Sequence, residues 1–431
     1  MSVLVTPRTL IKNLFMGGTF SFLVFVPSAL MIFLGASSFG LGVLSFSGLI
    51  IALFFIFFSN KKLTFKLPDL VVFVLLFFCF CLVVVHYVFV NQLLLVRNNA
   101  DDVRFFYGLI SIVIVLIAAY CASKMSYCIP DKSMVSIVNF ALFFMLLNVL
   151  MSSFRVDFFG VGNIKPSFLF MEPSHIALAA SSLIMFAAVT KKSLVSLVII
   201  SLVMAWGLYV ENLTTMIVGL MSLVVRARIR LIYFSVVICI AIALCSQYLD
   251  ADDFKYFSER LNFASGSENL SVLVLMQGWE NAVMTLQSTS GFGAGFQQLG
   301  VSTEVGDYTQ RVIDIVGSDP NKFDGGTTAS KLVAELGYAG VLLLFIQAYL
   351  MLYSFIRIRR YSLGMVMRPC KVFAHCIIIC SFLELYVRGV GYFSPTMFLF
   401  FTAIFLLFLN RDRPGVSSRS TLDERHTVQS L

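Results

Sequence analysis

Apolar positions along this chain fall in long unbroken stretches, separated by short connections that carry most of the charge. Each stretch is roughly the 17–25 residues that a helix needs to cross a hydrocarbon layer about 30 Å thick. A membrane barrel would instead need segments of about 10 residues alternating in polarity, and these runs do not alternate. The pattern predicts an all-α polytopic integral membrane protein of about 12 transmembrane helices. They are expected at residues 13–35, 39–58, 69–90, 105–123, 133–152, 174–190, 193–210, 213–225, 231–248, 330–355, 372–391 and 394–410. The first run is longer than the ~7–15 residues of a secretory signal core, so it is expected to stay as an anchor.

The connections alternate in charge. Lys61, Lys62 and Lys66, then Lys124 and Lys132, Lys191 and Lys192, Arg226, Arg228 and Arg230, and Arg357, Arg359, Arg360 and Arg368 fall on every second connection. By the positive-inside rule that side is cytoplasmic, which puts both termini inside. The organisation expected is nine helices over residues 1–248, a large outer loop at 249–328, three helices over 329–410 and a disordered cytoplasmic tail at 411–431. The loop stands apart because it holds eleven acids and only four bases, Lys255, Arg260, Arg311 and Lys322. Within it, "NLSVLVLMQGWENAVMTL" (269–286) suits an amphipathic helix at the interface, and "GFGAGFQQLG" (291–300) is a glycine-rich turn.

Composition narrows the partners. With 59% hydrophobic and 13% charged residues, 45 of them Phe, the chain has membrane lipid as its surroundings. Its net charge of +8 is explained by the basic connections, not by a nucleic-acid surface. The nine cysteines show neither a disulfide framework nor metal-ligand spacing. Neither a metal nor a cofactor is expected.

Candidate chemistry sits where polar residues interrupt the apolar pattern at the outer ends of the runs. "FLFMEPSHIAL" (168–178) places Glu172, Pro173, Ser174 and His175 together. Pro at a first helical position behind Glu172 reads as a helix start, and the positive end of the helix dipole favours the carboxylate there. The same four residues also offer an acid and an imidazole at the membrane surface. Arginines gather on the same side: Arg97, Arg104, Arg155, Arg311 and Arg388. Arg388 follows Glu384 by four residues, which places the two on one helical face; Lys331 and Glu335 repeat that spacing. A charge near the membrane interior is expensive and marks a site.

In architecture the chain resembles the bacterial O-antigen polymerases (Wzy), within the wider O-antigen polymerase and ligase group. The local carriers are "FLFMEPSHIAL", "GFGAGFQQLG", "GGTTASKLVAELGYAGV" (325–341) and "RGVGYFSP" (388–395). The large loop has no histidine, which departs from the ligase branch and favours the polymerase. The resemblance implies a fold of the glycosyltransferase class C type in the bacterial inner membrane. It implies transfer of a growing glycan from undecaprenyl diphosphate to a lipid-linked repeat unit at the periplasmic face. Arg155, Arg311 and Arg388, with Arg97 and Arg104 behind them, would then bind diphosphate, since arginine is a permanently charged planar donor. Glu172 or His175 would be the base for the acceptor hydroxyl. The partners implied are the undecaprenyl-diphosphate-linked oligosaccharide and, as a candidate, a chain-length regulator. An O-antigen ligase is the neighbouring alternative. A secondary transporter or lipid-linked oligosaccharide flippase is the alternative of another class, although repeated halves and midplane charges are not visible here.

Overall fold

A computed structural model describes residues 7–35, 38–59, 67–93, 100–160, 167–226, 260, 269–301, 305–319 and 321–409. Among them every regular element is helical, and the only strand-like pairing is an isolated bridge between Ser167 and Phe170. The expected ninth run, the tail and Arg97 lie outside the described residues.

The long apolar runs become α1 (Pro7–Leu34), α2 (Gly40–Phe58), α3 (Leu67–Val88), α4 (Asp102–Cys128), α5 (Asp131–Ser153) and α6 (Pro173–Thr190). The shorter α7 (Ser193–Tyr209) and α8 (Leu213–Arg226) follow. The acidic segment contributes α9 (Leu270–Ser288) and α10 (Asp307–Val316). After it come α11 (Thr328–Leu336), α12 (Tyr338–Ser362), α13 (Pro369–Phe382) and α14 (Pro395–Leu409). Eight helical stretches among the described residues are long and apolar enough to cross a membrane. Helices satisfy their own backbone hydrogen bonds, which hydrocarbon requires. The protein is an all-α, multi-pass membrane protein.

Burial sorts these helices into an inner pair and a surrounding set. The spans built on α6 and α13 are each 83% buried, whereas those of α3 and α12 are 11% and 17% buried. Outer helices turn Phe55, Phe77, Leu202, Phe345 and Tyr349 away from the protein, as a lipid-facing surface should. Small residues let the inner helices pack closely: Ala177, Ala180, Ala187 and Ala188 of α6 are at most 2% exposed. Phe373 of α13 packs edge-on against Phe186 of α6 and Phe20 of α1. Ion pairs brace one end of this bundle. Lys124 meets the buried Asp69, which also accepts a hydrogen bond from Tyr120, and Arg368 reaches Asp131 at 3.1 Å.

The other end departs from simple spans in two places, and both shape the site. The run expected at 330–355 is broken. Gly337 takes φ +61°, and a Cβ there would stand 2.0 Å from the Gly291 carbonyl oxygen, so the chain ends α11 and restarts as α12. The carbonyls freed at the end of α11 need donors. The glycine-rich turn supplies them, Ala294 N–H to Ala334 at 2.9 Å and Gly295 N–H to Glu335 at 2.8 Å. The second departure follows α13, which widens into one π-helical turn (Leu383–Val387) before Arg388 leaves the helix with extended backbone. Glu384 and Arg388 therefore do not share a helical face. The extra residue of the π-turn breaks the four-residue register, a change frequently found at functional sites.

The described part of the acidic segment is a packed layer. Ala282 and Leu299 bury against Val333 and Ala334 of α11, and Leu273 and Val274 of α9 bury against Val312 of α10. Glu280 accepts the first amides of α10, Asp307 N–H at 2.9 Å and Tyr308 N–H at 3.0 Å. The layer is tied to the bundle through His86 Nε2 and the Phe292 carbonyl at 2.8 Å, and through Gln298, which bonds both backbone groups of Asp101.

Candidate functional site

Glu172 stands at the N-cap of α6 with extended backbone, φ −154° and ψ 159°. Its side chain makes no capping bond to the helix amides. Instead one oxygen, Oε1, accepts from two side chains, Ser174 Oγ at 2.5 Å and Arg388 Nη2 at 2.8 Å, and His175 Nε2 lies 3.2 Å from it. A cap needs only the carboxylate and the local backbone. Here the carboxylate also serves a group brought from one distant segment, Arg388.

Each partner is held by the local fold. Pro173 at the first helical position and the His175 N–H to Glu172 carbonyl bond start α6, and this first turn aims Ser174 and His175 back at the cap residue. The imidazole is buried, with Phe39 packed edge-on at a ring distance of 5.0 Å. Arg388 is carried to the site by its exit from the π-turn. The next residue, Gly389, lies so near α11 that a Cβ would meet the Thr328 nitrogen at 2.2 Å, and its N–H bonds to the Gly326 carbonyl at 3.2 Å.

Burial alone would push the Glu172 carboxyl up. The Arg388 guanidinium, joined by His175 and the Ser174 hydroxyl, outweighs it and holds the group down at about 2. A carboxylate so firmly ionised is a weak proton acceptor while Arg388 remains bound to it. Arg388 is not fully used by this contact: its buried Nε has no hydrogen-bond partner. Side-chain exposures of 35% for Glu172 and 31% for Arg388 leave the pair open on one side.

A second polar cluster lies behind the 388–394 loop. Lys331 of α11 is 3% exposed; its Nζ donates to the Phe323 carbonyl at 2.7 Å and lies 3.8 Å from Asp324 and 3.9 Å from Glu335. Burial pushes the Glu335 carboxyl up, with Lys331 opposing. The Arg104 guanidinium stacks over Phe323 at 4.0 Å. Glu384, fully buried, lies between the clusters and accepts from Val390 N–H at 2.9 Å and Thr328 Oγ1 at 3.3 Å.

The structure thus brings Glu172, His175 and Arg388 into contact and places Arg104 with the second cluster. Arg155 is elsewhere: it bonds the Tyr209 carbonyl at 2.6 Å and lies over that ring at 4.9 Å, closing the end of α7. Arg311 is on α10. Sequence reasoning had passed over Ser174, Thr328 and Phe39 as site members. The first was visible in "EPSH" and the second lies in "GGTTASKLVAELGYAGV", but nothing local marked Phe39. Among the described residues no group of three or more His, Cys, Asp or Glu side chains is placed to hold a metal ion. Set against known proteins, the chain matches no family model, no curated protein and no solved structure.

Proposed function

We propose that this protein is an O-antigen polymerase: a glycosyltransferase that moves a growing glycan from undecaprenyl diphosphate onto a lipid-linked repeat unit. In this reading the Glu172 end of the bundle and the acidic layer face the periplasm. The protein sits in the bacterial inner membrane with about 12 spans and both termini in the cytoplasm. The observation that carries the reading is the Arg388–Glu172 contact, a cation with spare donors beside a carboxylate, open on one side at the end of two inner membrane helices.

The chemistry follows from that pair. A diphosphate binds the free donors of Arg388 through charge-assisted bonds, each contributing ~1.5–3 kcal/mol. It thereby draws the guanidinium from Glu172, and the carboxyl regains basicity. The acceptor sugar hydroxyl attacks the anomeric carbon of the donor glycan. Its proton passes to Glu172, and the bond from that carbon to the diphosphate oxygen breaks, so undecaprenyl diphosphate departs with the electron pair.

A lipid-borne substrate also suits the bundle. An apolar groove of about 580 Å3 runs between α3, α4, α12 and α14, lined by Phe77, Leu116, Leu344 and Phe400. It ends at Thr328 and Tyr392, beside the loop that carries Arg388. The groove takes the polyprenyl tail while the headgroup reaches the arginine. Deletion of the gene followed by lipopolysaccharide electrophoresis tests the reading. Core bearing a single repeat unit is expected; core without any glycan would mark a ligase, and a normal ladder would remove the protein from this pathway.

A further inference from the structure

Two buried polar atoms on different inner helices make none of the hydrogen bonds described above, and their residues line the same cavity. His175 Nε2 lies 3.2 Å from Glu172 Oε1, and its buried Nδ1 has no partner. Glu384 uses Oε1 for Val390 and Thr328, the Ser394 hydroxyl also bonds its carboxyl, and its buried Oε2 has room for a further partner. Both residues line a cavity of about 20 Å3, with Phe39, Ala179, Val390 and Ser394 among its walls. Space open to a water centre must reach about 10–15 Å3 to hold one molecule, and the water needs at least two polar partners. This cavity meets both conditions.

We propose that a single ordered water bridges His175 Nδ1 and Glu384 Oε2, making Glu384 a positioning residue for the imidazole. With Nε2–H donating to Glu172, Nδ1 carries the lone pair and accepts one hydrogen of the water. The other hydrogen goes to the carboxylate. The chain Glu384–water–His175–Glu172 then fixes both the rotation and the tautomer of the ring, as a second hydrogen-bonding partner does for histidines generally. Its consequence for catalysis rests on the function proposed above. Because Nε2 keeps its proton directed at Glu172, the imidazole steadies that carboxylate, and Glu172 alone takes the proton from the acceptor sugar.

The test is solid-state NMR of the full-length protein in lipid nanodiscs, labelled with 15N-histidine. The chain has four histidines, and the resonances lost in His175→Asn identify this one. The wild type is expected to show a protonated Nε2 and an unprotonated Nδ1 with a correlation to bound water. Ala179→Val adds two methyl groups to the cavity wall and changes no polar group, so it should abolish the water correlation. Glu384→Gln should shift the Nδ1 resonance. A proton on Nδ1 in the wild type, or a water correlation that survives Ala179→Val, overturns the proposal. These spectra do not depend on glycan transfer, so a failure of the polymerase reading would show in glycan length and leave them unchanged.

Discussion

Arg388 and Glu172 lie 216 positions apart in the chain, and their side chains meet at 2.8 Å. The contact joins the end of one inner helix, α13, to the start of the other, α6. It is half-buried, where water screens less than at a free surface, and one guanidinium nitrogen and one carboxylate oxygen carry it. A double-mutant cycle should expose this directly. Residues in contact couple by about 0.5–3 kcal/mol, so Glu172→Gln with Arg388→Gln should destabilise detergent-solubilised protein by less than the sum of the single changes. Additive losses in thermal unfolding would mean that the pair contributes nothing.

Acid should dissolve the same contact within a defined window. The Glu172 carboxyl is lowered from its ordinary 4.5 to about 2. A lowered carboxyl stabilises the fold above its unfolded value, and that contribution is lost as pH falls through the folded one. The stability gap between wild type and Glu172→Gln should therefore stay constant from pH 7 to about 5, then shrink from 4.5 towards 2. A gap already closed at pH 6 would contradict the assigned charge state.

Gly389 offers a change that alters no charge. A Cβ there would stand 2.2 Å from the Thr328 nitrogen, so Gly389→Ala must lift the loop away from α11 and carry Arg388 with it. The variant should insert and express but lose most glycan elongation, read as the length distribution on a gel. A normal ladder would show that the position of Arg388 is not critical.

The arginines should separate by environment. Arg388→Ala should abolish elongation, and Arg388→Lys, which keeps charge but not the planar fork, should impair it in part. Arg155→Ala should leave elongation close to normal, because its guanidinium is committed to the Tyr209 carbonyl and ring. Equal loss in Arg155→Ala and Arg388→Ala, at equal protein levels, would return Arg155 to the site.

What the sequence made legible follows from what hydropathy encodes. The runs at 39–58, 133–152 and 174–190 each correspond within about two residues to α2, α5 and α6, since a continuous apolar stretch leaves little choice but a helix. The break at Gly337 was hidden for the same reason. Its immediate neighbours Leu336 and Tyr338 continue the run, and only the approach of the Gly291 carbonyl shows why the chain turns. The π-turn after Phe382 was equally silent, and a strict four-residue spacing paired Arg388 with Glu384. Buried Glu384 instead holds the Val390 amide, while Arg388 crosses to Glu172. "EPSH" was legible as a candidate site because charge at an apolar boundary is costly. Which arginine contacts it was not, because that depends on a contact between distant helices.

The central claim, that this constellation elongates a lipid-linked glycan, is tested most directly with purified protein. Wild-type, Glu172→Gln and Arg388→Ala proteins would be reconstituted in liposomes carrying undecaprenyl-diphosphate-linked repeat units, and product length followed by mass spectrometry. The wild type should yield glycans of two or more units with release of undecaprenyl diphosphate, and both variants should leave single units. Absence of elongation by active-folded wild type, or undiminished elongation by both variants, would contradict the account.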